Sequence, residues 1–122
     1  MTTKVGVDIS KIHPTIGTVL KIADELWPIV FPEDADGMVV TSGHEDVGAR
    51  VHAAKSKHYL ANSSSGMGEA VDIRANDILQ YQVHKFLTLL WMLLEIRMPQ
   101  QQFKMYHEGA LGANSHIHIQ LM

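Results

Sequence analysis

Ser115-His116-Ile117-His118-Ile119-Gln120-Leu121 lies at the end of a 122-residue chain, and from His116 onward it alternates polar and branched apolar side chains. A period of two is the signature of a half-buried strand. Ile117, Ile119 and Leu121 would face a core, and His116, His118 and Gln120 would share the opposite face. Working outward, Gln102 to His107 reads as a second strand, joined to the first by a glycine-containing turn from Glu108 to Asn114. Glu69 to Arg74 reads as a third, with Ala70, Asp72 and Arg74 on one face and the apolar Val71 and Ile73 on the other. Gly37 to Gly43 reads as a short buried strand leading into a loop, and Lys4 to Ile9 as a short strand or extended arm.

Two helices separate these segments. Pro14 is well placed in a first turn, and Ile16, Val19, Leu20, Ala23, Leu26 and Trp27 follow at helical spacing until Pro28 ends or kinks the helix. Asn76 or Asp77 caps a second helix that runs to about Arg97 and stops before Pro99. Its apolar residues, among them Val83, Phe86, Leu87, Leu90, Trp91, Leu94 and Ile96, surround much of the circumference, which predicts a helix enclosed in the core. The expected fold is a single α+β domain over residues 1–122, with a small, mostly antiparallel sheet packed against two long helices. Between them, 44–68 is irregular by composition, and Ala61 to Gly68, with three serines and two glycines, predicts a surface loop.

Composition narrows the function. Hydrophobic residues make up 46% and charged residues 19%, which suits a globular chain. The net charge of −3 supplies no basic field for nucleic acid. The most apolar run, Phe86 to Leu94, is far shorter than the roughly 20 residues of a membrane span. Met1 to Ser10 lack the apolar segment of a secretory signal, so synthesis in the cytoplasm is expected. With no cysteine, any metal must be held by nitrogen and oxygen, and eight histidines fit that need.

The chemistry-bearing residues fall in the strands. His116 and His118 share a face, so either one metal binds both imidazoles, or one binds while the other stands beside it. Asp72 sits in an apolar strand, where a carboxylate is costly to bury without a cation. His58 precedes a loop able to bring it back to Asp72. Two imidazoles, one carboxylate and a water form a catalytic zinc arrangement.

Ser42-Gly43, Ser56-Lys57-His58-Tyr59, Gly68-Glu69-Ala70-Val71-Asp72-Ile73-Arg74 and His116-Ile117-His118 occur in that order. The set resembles the D-alanyl-D-alanine carboxypeptidase family of zinc peptidases, which is grouped with the lysostaphin-type peptidases and the hedgehog signalling domain. The likeness covers roughly residues 38 to 121. It implies that fold, with His58, Asp72 and His118 as zinc ligands and His116 as general base or transition-state donor. It also implies peptidoglycan stem or cross-link peptides as substrate, cut by a carboxypeptidase or endopeptidase comparable to a phage endolysin. Three positions depart from the family pattern. Ser115 stands where members of the carboxypeptidase type often place a Glu or Asp, so His116 takes that role or Glu108 reaches in from the turn. Thirteen residues separate His58 from Asp72, where the family has a short spacer. His44-Glu45-Asp46 occupies the place of a substrate-binding Arg, and Arg50 is the nearest replacement. Two other classes share some of these residues: a non-catalytic zinc-stabilised binding module, and a non-haem iron oxygenase, whose triad usually sets its first His and carboxylate closer together.

Overall fold

The computed structural model describes residues 1–43, 58, 65–76, 78–109 and 115–122. The described elements are β1 (Thr2–Thr3), α1 (Pro14–Val30), β2 (Val39–Ser42), β3 (Ala70–Arg74), α2 (Gln80–Arg97), β4 (Phe103–Glu108) and β5 (His116–Leu121). The five strands form one sheet in the order β1-β2-β3-β5-β4. β1 runs parallel to β2, and the other three pairings are antiparallel, so the sheet is mixed.

The alternation in the C-terminal strand holds in three dimensions. β5 lies between β3 and β4, with Ile117 opposite Ile73, and Ile119 opposite Val71 and Met105. Val71, Ile73, Ile117 and Ile119 are fully buried and join the helices in one apolar cluster. The reverse face carries Asp72 and Tyr106 opposite His118, and Arg74 and Glu108 opposite His116. One sheet therefore separates a core from a polar surface, as period-two patterning requires.

α1 starts where the proline predicts. His13 caps it, its Nδ1 accepting from the Thr15 amide at 3.1 Å, with Pro14 in the first turn. The helix runs through Pro28 to Val30. Proline there removes a single amide donor one turn from the end, and burial of Leu26, Trp27 and Phe31 holds the last turn in place. Trp27, Phe31 and Phe86 form an aromatic cluster, with centroids 4.5 to 5.7 Å apart, that fastens α1 to α2.

Three expectations need correction. The N-terminal strand is Thr2–Thr3, not Lys4 to Ile9. The chain turns just after it, with Gly6 at φ 86°, while Val7 and Ile9 pack on the core as non-strand residues. α2 begins at Gln80 behind Leu79, with no side-chain cap, so Asn76 does not cap it; Asp77 lies outside the described residues. Nor is α2 enclosed. Val83, Phe86, Leu90 and Leu94 face the core, whereas Trp91, Met92 and Ile96 are exposed, because α1 and the sheet cover only one side. At the end of the expected loop, Gly68 is pinned rather than loose: it donates to Lys11 O and accepts from the His13 amide, both at 2.8 Å.

Candidate metal centre

β3 and β5 set the first two side chains of the site. Asp72 and His118 are directly opposite in a five-pair antiparallel ladder, which brings their side chains together on the polar face. His118 Nδ1 lies 2.9 Å from Asp72 Oδ1. The third side chain comes from outside the strands: His58, 1% exposed, places Nε2 3.3 Å from the same carboxylate oxygen. The three ligand atoms lie within 4.8 Å of one another, and all three residues are buried.

The outer contacts decide which ring atoms point inward. His58 Nδ1 is 2.7 Å from the carbonyl of Gly43. A carbonyl can only accept, so this nitrogen carries the proton, and in the neutral ring Nε2 presents its lone pair to the site. Ser42 Oγ, 3.5 Å from the same nitrogen, is a weaker neighbour. His118 Nε2 lies 2.8 Å from Gln120 Oε1, which puts its lone pair on Nδ1. Three electron-pair donors thus converge, and a shared proton or a metal cation is what satisfies such a set. Two imidazoles and a carboxylate, each imidazole oriented by an outer acceptor, make a group that could hold a metal ion.

Without a metal, a proton on an inward-facing nitrogen satisfies the set, and the shifts describe that protonated form. Burial pushes the Asp72 carboxyl up, but hydrogen bonds and charge from His118 and His58 outweigh it and hold the group well below the usual carboxylate range. Burial pushes His118 down, yet its bonds to Asp72 and Gln120 and the charges of Asp72 and Glu108 raise it above an ordinary histidine.

Beside this group, His116 Nε2 contacts Glu108 Oε2 at 3.0 Å. Glu108 was expected in the turn; it is instead the last residue of β4, directly opposite His116. His116 sits two residues before His118 on the same face, roughly 7 Å along the strand. Ser115 lies on the other face, 1% exposed, in a 2.6 Å hydrogen bond with His107 Nε2, and takes no part in the site. Arg50 falls outside the described residues, as do His44 and His52.

Tyr106 was missed. Its ring stacks on His118 with centroids 4.8 Å apart and 30° between planes. Burial, then the charges of Glu108 and Asp72, raise the Tyr106 phenol further, so it remains a donor. The signal was available only through register: once β4 and β5 pair with Glu108 opposite His116, Tyr106 must fall opposite His118.

No protein-family model, curated protein or solved structure matches the chain. Among the described residues, no helix is long and apolar enough to cross a membrane.

Proposed function

We propose that the chain is a zinc-dependent peptidase that hydrolyses peptidoglycan stem or cross-link peptides, on a scaffold of the D-alanyl-D-alanine carboxypeptidase and hedgehog type. The observation that carries this reading is the convergence of His58 Nε2, Asp72 Oδ1 and His118 Nδ1 beside a second histidine on the same sheet face. Three residues of the ordered motifs, His58, Asp72 and His118, lie together in space, which supports this reading. His58, Asp72 and His118 would hold the ion, which when bound supplies Lewis acidity at a carbonyl and acidifies water.

The chain's own residues supply the proton chemistry. With Glu108 at Nε2, the neutral His116 ring keeps its proton there, and Nδ1 is the atom that accepts a proton as water attacks. The Glu108 carboxylate then stabilises the imidazolium. Because the pair spans the neighbouring strands β4 and β5, with His116 at fixed separation from His118, the base does not need a carboxylate at position 115.

The test is hydrolysis of purified peptidoglycan by metal-analysed protein. Release of peptide fragments or D-alanine, abolished by a chelator and restored by zinc, is expected, and His118→Ala should lose both zinc and activity. Zinc-loaded protein that releases nothing overturns the peptidase reading in favour of a zinc-stabilised binding module. Iron in protein purified without added metal would point to the oxygenase class.

A further inference from the structure

The two buried imidazoles of the centre are held by different kinds of acceptor. His58 is fixed by a backbone carbonyl, that of Gly43. His118 is fixed by a side chain, Gln120 Oε1, at 2.8 Å and two residues along the same strand face. We infer that Gln120 is a positioning residue of the metal centre: by accepting the Nε2 proton of His118, its amide oxygen holds the imidazole in the tautomer whose Nδ1 faces Asp72 and His58.

The need for such a residue follows from Asp72. Its carboxylate lies 2.9 Å from His118 Nδ1 and would by itself draw the proton to that atom, where it blocks ligation. An acceptor at Nε2 opposes this pull. It leaves Nδ1 as a lone pair among the other two donor atoms, and it makes the ring a better electron donor. The surroundings of Gln120 suit the task. Its neighbour on β3 is the small Ala70, and on β4 it is Lys104, whose ammonium lies 5.5 Å from the Tyr106 ring centre. Ala70 leaves room for the amide to lie along the strand, and Lys104 would tolerate a carboxylate at position 120. The inference rests on the reading of His118 as a metal ligand.

The experiment measures zinc affinity, by competition with a chromophoric chelator, for the wild type, Gln120→Leu and Gln120→Glu, with circular dichroism of each metal-free protein. Leucine matches the bulk of glutamine but cannot accept a proton, so zinc affinity should fall by roughly 10- to 100-fold. Glutamate is a stronger acceptor and should bind zinc at least as tightly as the wild type. Nitrogen-15 shifts of His118 in the metal-free protein, above its titration range, should show Nε2–H in the wild type and a shift toward Nδ1–H in Gln120→Leu. A structural role alone would leave that ratio unmoved. Wild-type protein that binds no zinc overturns the metal reading and this inference with it. Wild-type binding matched by Gln120→Leu leaves the metal reading standing and overturns the role of Gln120. If Gln120→Leu fails to fold, Gln120→Glu decides alone, and zinc binding weaker than wild type overturns the inference.

Discussion

Replacing Gly43 by alanine should damage the candidate metal site, although Gly43 has no side chain to touch it. A Cβ at this position would stand 2.2 Å from the Asp8 carbonyl oxygen, 2.9 Å from Ile9 Cγ2 and 3.1 Å from the Asp8 carbonyl carbon. Two of these three atoms are backbone, so no side-chain rotation relieves the overlap, and the two chain segments must part by roughly 1 Å to approach ordinary contact. The carbonyl of the same residue accepts from His58 Nδ1 at 2.7 Å, and a displacement of about 1 Å takes that bond beyond hydrogen-bonding range. Two losses follow. Overpacking should cost the metal-free protein about 1–3 kcal/mol. Loss of the acceptor that orients His58 should weaken zinc binding by about 10- to 100-fold. Thermal melts of the metal-free protein and a chelator-competition titration measure the two separately. Gly17→Ala is the contrast: it lies in α1, no heavy atom stands within 4 Å of the new Cβ, and it should gain about 0.5–1 kcal/mol with unchanged zinc affinity. A Gly43→Ala protein that melts with the wild type and binds zinc as tightly refutes the steric argument.

Two further outcomes concern protons. Asp72, depressed below its unfolded value, stabilises the metal-free fold above about pH 4, and that stability is lost as pH falls through the folded value. His118, raised above its unfolded value, stabilises the fold fully below about pH 6.5, and that stability is lost as pH rises through the folded value. Chelated protein should therefore melt higher at pH 5.5 than at pH 8, whereas added zinc, which competes with those protons, should raise the melting temperature much more at pH 8. A zinc-induced shift larger at pH 5.5 would count against these ligands. In catalysis, His116→Ala should lower turnover by roughly 10²- to 10⁴-fold while zinc affinity is kept, and Glu108→Gln should lower it less. If His116→Ala loses zinc instead, His116 is itself a ligand.

The strands were legible because each carries its own face assignment. Val71 and Ile73 against Asp72, and Ile117 and Ile119 against His118, each show which side meets the core. Whether Asp72 met His118 was not legible from either strand alone, since a one-residue slip in the β3–β5 register would turn the aspartate into the core. Tyr106 shows the same limit, because its place beside His118 depends on the closure of the hairpin. Glu108 was placed in the turn because a charged residue before a glycine reads as the end of a strand, yet the ladder extends far enough to pair it with His116. α2 misled in the other direction. Trp91, Met92 and Ile96 are apolar residues facing outward, and composition cannot distinguish them from core residues. Its first turn lacks a capping side chain, so a cap at Asn76 put the start three residues too early.

The division of the centre between a ladder and a single outside arm governs how it would treat ions of different size. Asp72 and His118 are locked across five consecutive residue pairs, so the gap between their donor atoms is a property of the sheet and changes only when the sheet opens. His58 is fastened through Gly43, a residue just beyond the end of β2. Two jaws of the vice are fixed and the third can travel. An ion slightly too large would be met first at His58, by a lengthening of its bond to the Gly43 carbonyl. Selectivity among divalent ions would then depend on the Gly43 carbonyl, and so would the rate at which an ion leaves.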